Sequence, residues 1–188
     1  MISIVRVLVV FWLFHLSICL AFSSAGRVNE HAELVAEFQN RVASYLKLHN
    51  QAEAGFPRWK PTDSAELISE HERELAQRIR TLRPNAKQGE IFTVPIAAEF
   101  RRLVKIASRG REASTIRRSL ERAEPVVLAI HVNDTYPRSV PLQSTPATLL
   151  RNLPALPKQL QYRVIGHDLV LLDVGANLIV DFAARVIP

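Results

Sequence analysis

The chain has 188 residues, a formal net charge of +6 and 48% hydrophobic residues, with one cysteine and one methionine. That length suits a single domain with its own core, and one cysteine excludes an internal disulfide framework or a thiolate zinc site. No glycine-rich phosphate loop, G-x-S-x-G elbow or H-E-x-x-H zinc motif is present, so the commonest sequence signatures of enzyme chemistry are missing.

The N-terminus has the three parts of a secretory signal. Arg6 is the only charge before Arg27, and an apolar run from Val7 to Phe22 follows, broken only by His15 and Ser17. Ser23 and Ala25 then stand at the −3 and −1 positions of a cleavage site before Gly26. The run has 16 residues, short of the ~20 that a permanent bilayer span needs. Leu16-Ser17-Ile18-Cys19 has the outline of a lipoprotein box, but Ile18 is too large for the position before the cysteine. Residues 1–25 are therefore expected to be a signal peptide, and the protein to be periplasmic or secreted. Met1 and Cys19 leave with the signal, and 163 residues of net charge +5 remain. These form one expected domain over 26–188, divided into a helical part (27–124), a strand and turn (125–135), a proline-rich connector (136–158) and a β-meander (159–188).

About four helices are expected before residue 124. The first covers 30–53, where Leu34, Phe38, Val42, Tyr45 and His49 recur at three- and four-residue steps and so share a face. His49, on that apolar stripe, reads as a core or boundary residue. Gly55 and Pro57 end the helix. A second helix is expected from Asp63, which with Glu66 has capping-box spacing. Ile68, Leu75, Ile79 and Leu82 form its stripe, and Pro84 ends it. Acids in its first half and arginines near its end complement the helix dipole. Thr93 and Pro95 open a third helix whose buried face is Ile96, Phe100, Leu103, Val104 and Ala107. After Gly110 a shorter fourth helix covers about 114–122, with Ile116, Leu120 and Ala123 inward.

The β-branched run 126–132 predicts one strand, closed by Asn133 and Asp134. In the connector, Pro146 opens one short helix. Three further strands are expected at 160–165, 169–174 and 178–182, joined by the turn-forming triplets Gly166-His167-Asp168 and Gly175-Ala176-Asn177. The fold class is α+β, with about four N-terminal helices packed on a small, mainly antiparallel C-terminal sheet of a three-stranded meander plus one further strand.

The largest charge asymmetry lies between Arg101 and Arg122, where eight bases meet two acids, Glu112 and Glu121. Arg101 and Lys105 are one helical turn apart, as are Arg118 and Arg122, so each pair shares a helix face. Arg101, Lys105, Arg111, Arg118 and Arg122 are the candidate binding residues, a basic strip for an acidic envelope component, an acidic protein or peripheral contact with lipid headgroups. The alternative is a solvated face partly paired with the acids of the second helix. Nucleic acid is not an expected partner. His31, His49, His71, His131 and His167 show no metal-ligand spacing, so no metal ligand and no cofactor is assigned. Ser114 or Ser139 can be grouped with His131 or His167 and Asp168 only arbitrarily, and Asp173 and Asp181 offer no distinguishable acid–base pair. No catalytic residue is assigned. Asp168 reads as a turn residue accepting backbone hydrogen bonds.

Leu153-Pro154-Ala155-Leu156-Pro157, followed by Tyr162-Arg163-Val164-Ile165-Gly166-His167-Asp168 and Ala176-Asn177-Leu178-Ile179-Val180-Asp181-Phe182, resembles the ending of a family of exported bacterial proteins of unknown function, common in soil-dwelling acidobacteria. Gln88-Gly89-Glu90-Ile91-Phe92-Thr93 and Phe100-Arg101-Arg102-Leu103 resemble that family too, and the likeness brings no activity. Tyr162, Arg163, Gly166, Asp168 and Leu171 are also similar to a hairpin pattern of periplasmic nickel/cobalt-homeostasis proteins, which implies a periplasmic structural or binding role. The expectation is thus a non-catalytic periplasmic or secreted binding or envelope-associated domain. The competing expectations are a hydrolase with a His/carboxylate site and a divalent-metal-binding periplasmic protein.

Overall fold

The structure, a computed structural model, describes residues 22–56, 62–110, 113–122, 128–140 and 145–188, with side chains from Glu30 onward. Helix α1 (Phe22–Glu53) begins earlier than the apolar periodicity indicates. Its buried face is Phe38, Val42, Tyr45, His49 and Ala52, at the three- and four-residue steps of one helical stripe. The segment expected to carry the cleavage site, residues 23–25, lies at the start of this helix. Residues 1–21 lie outside the described part.

Helix α2 (Ala65–Leu82) is capped one residue later than expected. Ser64 Oγ accepts the Leu67 N–H and donates to the Glu66 carboxylate. The serine hydroxyl, and not Asp63, thereby satisfies an orphan donor of the first turn. Leu75, Ala76 and Ile79 are buried, whereas Ile68 and Leu82 of the anticipated stripe stay exposed. Helix α3 (Val94–Ala107) starts after Thr93 with a proline in its first turn and buries Ile96, Phe100, Val104 and Ala107. Helix α4 (Ala113–Arg122) buries Ile116 and half-buries Leu120. Helix α5 (Ala147–Leu150) follows Pro146 as a single turn.

The C-terminal meander is antiparallel in the order β1 (Leu160–Ile165), β2 (Asp168–Asp173), β3 (Leu178–Ala183). Leu160 pairs with Asp173 and Ile165 with Asp168, while β3 meets β2 from Asp173–Leu178 to Leu169–Ala183, with an irregularity between Leu171 and Leu172. The fold is α+β, as expected.

Period-two alternation divides the sheet between two cores. Leu160, Tyr162, Val164, Leu169, Leu171, Leu178 and Val180 join the main core, which the helices complete. At its centre the rings of Phe38, Phe92 and Phe100 lie with centroids 4.8–5.6 Å apart. Such pairs add about 0.5–1.5 kcal/mol each beyond area burial. Ile165, Val170, Leu172 and Ile179 face the other way, under Tyr136, Leu128, Ile130 and Val140.

That second cover corrects one expectation. Of the strand anticipated at 126–132, residues 126 and 127 lie outside the described part, and 128–132 form no strand. Instead Leu128 and Ile130 lay their side chains on the sheet's second face. From the turn residue Asn133 onward the backbone meets β3 and its leading residue, through Asn133 N–H to Ile179 O, Ile179 N–H to Asp134 O, Tyr136 N–H to Asn177 O and a single bridge between Thr135 and Leu178. A run of β-branched residues is equally suited to covering a face and to joining a ladder, and its composition does not separate the two.

Candidate functional site

Three polar assemblies come out of this packing, two sealed in the core and one open to solvent. The first sits where α1 meets the end of β2. Tyr45 and His49, one helical turn apart, both reach the fully buried Asp173, Tyr45 Oη donating to Oδ2 at 2.7 Å and His49 Nδ1 lying 2.6 Å from the same oxygen. The other oxygen accepts the Ala176 N–H at 3.1 Å. On the far side of the imidazole, Nε2 lies 3.5 Å from the half-exposed carboxylate of Glu53. Burial by itself lowers the affinity of His49 for a proton, but the hydrogen bond and charge of Asp173, with Glu53 adding to them, reverse this and raise its pKa. Burial and the neighbouring carboxylate push the Tyr45 hydroxyl far above its ordinary range, so it serves as a donor only. The Arg83 guanidinium lies 5.4 Å from the Tyr45 ring centre and bonds Val180 O and Glu90.

The second assembly organises the loop before α3. Asp181, fully buried on β3, accepts the backbone N–H groups of Gly89, Ile91 and Phe92 at 2.7–2.9 Å, and that of Phe182 as well. Gly89 has φ +90°, which a glycine adopts without strain. On the buried face of α3 itself, Glu99 bonds Arg102 and His31. The Arg102 hydrogen bonds hold that carboxyl below the usual range against the opposing effect of burial.

The third assembly is a groove of about 820 Å³ between α3, α4, the β1–β2 turn and the C-terminal tail. Its floor is apolar, formed by Val104, Ile116, Leu120, Val186 and Ile187. Arg101, Lys105, Arg109, Arg117 and Arg185 rim it, opposed by Glu121. The local reason is helical spacing: residues 101, 104, 105 and 108 make one stripe of α3, and 113, 116, 117 and 120 the facing stripe of α4. The tail is held against the turn by Ile187 N–H to His167 O and by His167 Nδ1 to Ile187 O, and Asp168 accepts the Arg185 N–H. Asp168 thus takes the turn role its position indicates. Arg101 donates to Ala184 O. Among the described residues, Lys105, Arg109, Arg117 and Arg185 have no carboxylate within ion-pair distance.

The groove divides the basic strip. Arg101 and Lys105 line it, whereas Arg118 and Arg122 are exposed on α4 away from it, with Arg118 Nε bonded to Ser114 O. Arg111 lies outside the described residues. Arg109 and Arg117 belong to the same basic stretch, but Arg185 comes from the distant tail, and only turn-to-tail packing places it at the rim. Pairing with the acids of α2 does not neutralise the groove: Glu72 bonds Arg138, and Glu74 bonds Arg78.

Among the described residues the histidines do not converge. His31 meets Glu99, His49 meets Asp173, His131 meets Asp134, and His167 meets the tail backbone. Among the described residues no group of three or more histidine, cysteine, aspartate or glutamate side chains is arranged to hold a metal ion. Ser114 and Ser139 make no hydrogen bond to His131 or His167 among those residues, so no nucleophile–base pair is assembled there. The Asp173–His49 pair has the orienting half of such a machine, but its free nitrogen faces Glu53. No described helix is long and apolar enough to cross a membrane. No family model matches the chain, and no curated protein or solved structure matches it significantly.

Proposed function

We propose that this protein is an exported, non-catalytic binding domain that engages anionic envelope material through the groove between α3 and α4. One observation carries the reading: four cations, Lys105, Arg109, Arg117 and Arg185, stand around an apolar floor without a carboxylate partner among the described residues. Elsewhere Arg41, Arg78, Arg83, Arg102 and Arg138 each have a carboxylate partner, while Arg73, Arg118 and Arg122, also without one among the described residues, line no part of this groove. Charges left without partners around one cavity favour an external anion, and each lysine or arginine near an anionic lipid surface contributes about 1 kcal/mol. Export is supported by the charged start, the 16-residue apolar run and the small residues before Gly26.

The surface is tested by sedimentation with phosphatidylglycerol vesicles. Adsorption is expected at low salt and should fade toward 1 M, where the screening length falls to ~3 Å. Lys105→Glu with Arg117→Glu should weaken it by more than about tenfold, since two reversals remove several kcal/mol of attraction. Arg118→Glu with Arg122→Glu, off the groove, should have the smaller effect. Equal loss in both doubles, or none in either, overturns the groove as the contact surface. Export is tested by intact mass of the protein from its native envelope fraction. A chain beginning at Gly26 is expected, and one retaining Met1 rejects cleavage there.

A further inference from the structure

We infer that the groove takes a lone amphiphile with one aliphatic chain and a phosphate head, the chain on the apolar floor and the head among the rim cations. This deepens the reading of the α3–α4 face as the contact surface and rests on it. A surface that only adsorbs to a bilayer needs charge but no recess. Here the recess of about 820 Å³ falls within the range of small-molecule sites, roughly 300–1,000 Å³.

The distribution of polarity within it matches one kind of ligand. Val104, Ile116, Val186 and Ile187, almost wholly buried, and the half-buried Leu120 form its apolar floor. A single chain that has left its membrane can lie along it. The polar groups belong to the rim, and they are nearly all cationic. Among the lining residues five cations, Arg101, Lys105, Arg109, Arg117 and Arg185, face one acid, Glu121. A phosphate monoester carries up to two negative charges and three acceptor oxygens, and several guanidinium groups can bond it at once. A carboxylate offers one charge and two oxygens, and leaves more of the rim uncompensated. Ser108 Oγ, in the same wall, is buried without a hydrogen-bond partner among the described residues. An unsatisfied hydroxyl at that place is one that a head-group oxygen would satisfy.

Calorimetric titration of the purified protein with dodecyl phosphate, below its micelle concentration, tests this. One molecule should bind per protein. Octyl phosphate should bind at least about tenfold more weakly, because each methylene laid on the floor is worth roughly three- to fourfold. Dodecyl maltoside, with the same chain and no charge, and dodecanoate, with a smaller charge, should both bind more weakly, and inorganic phosphate should give no heat. Leu120→Trp fills the floor and should abolish binding; Ala113→Phe, at the edge of the groove, serves the same purpose if the first variant does not fold. Equal affinity for dodecyl maltoside or dodecanoate overturns the phosphate head, and equal affinity for octyl phosphate or in the filled variants overturns the chain site. If phosphatidylglycerol vesicles are held through Lys105 and Arg117 while dodecyl phosphate is not bound, the ligand class fails and the contact surface survives. If reversal of those charges changes neither, both fail.

Discussion

The core of this protein and its α3–α4 groove treat charge in opposite ways. In the core the charges are answered: Asp173 has a phenol, an imidazole and a backbone N–H, Asp181 has four backbone N–H groups, and the buried cation Arg83 has Glu90 and a backbone carbonyl. At the groove the charges are mostly cationic and, among the described residues, mostly unanswered. The difference follows from solvent. An ion removed from water costs several kcal/mol unless it is paired and hydrogen-bonded, whereas water screens an exposed cation at little cost. Satisfied buried ions therefore report architecture, and unsatisfied exposed ones leave interaction capacity for something outside the chain.

The comparison breaks most visibly at Asp181. Asp181→Ala leaves three loop N–H groups before α3 without an acceptor, and each orphan costs about 1–3 kcal/mol. Urea unfolding should show a loss of about 3 kcal/mol or more, and a loss below about 1 kcal/mol would mean that water replaces the carboxylate freely. A smaller effect is expected at His49. Its folded pKa is raised, so the native state binds the proton more tightly than the unfolded chain. That stabilisation is complete below the unfolded value of about 6.5 and is lost as pH rises through the raised folded value. Urea midpoints of the wild-type protein should fall across this window, while those of His49→Gln should fall less. Parallel profiles would show that the imidazole gains nothing from Asp173. The smallest effect on stability belongs to the groove: Lys105→Glu with Arg117→Glu should change unfolding free energy by no more than about 0.5 kcal/mol per site. A larger loss would place these side chains in the architecture and remove the contrast.

The centre at Asp173 pairs a buried carboxylate with an imidazole, the orienting half of a catalytic arrangement. An aspartate orients a histidine as in many hydrolases, but the second ring nitrogen meets Glu53, and no hydroxyl or thiol nucleophile bonds it among the described residues. What the pair does accomplish is to join α1 to the end of β2 across 124 residues of sequence.

What could be read along the chain was local. The bounds of β1, the start of α3 after Thr93, the one-turn helix after Pro146 and the turn role of Asp168 all follow from signals within a few residues: alternation, a proline in a first turn, a carboxylate beside a tight turn. Even the displaced cap of α2 is a local competition, between Asp63 and Ser64. Place in the tertiary structure was not legible. His49 read as a core or boundary residue and is buried, but Asp173, its partner, carried no signal that set it apart from the other acids of the meander. Run 126–132 has the composition of a strand, yet its described part lies over a face. Arg118 and Arg122 share a helix face with each other, while Arg117 beside them shares a groove with Arg185 from the tail. The physical reason is the same in each case: helix and strand periods reach one turn or two residues, whereas a buried carboxylate or a rim of cations is assembled from segments whose meeting depends on how the whole core packs.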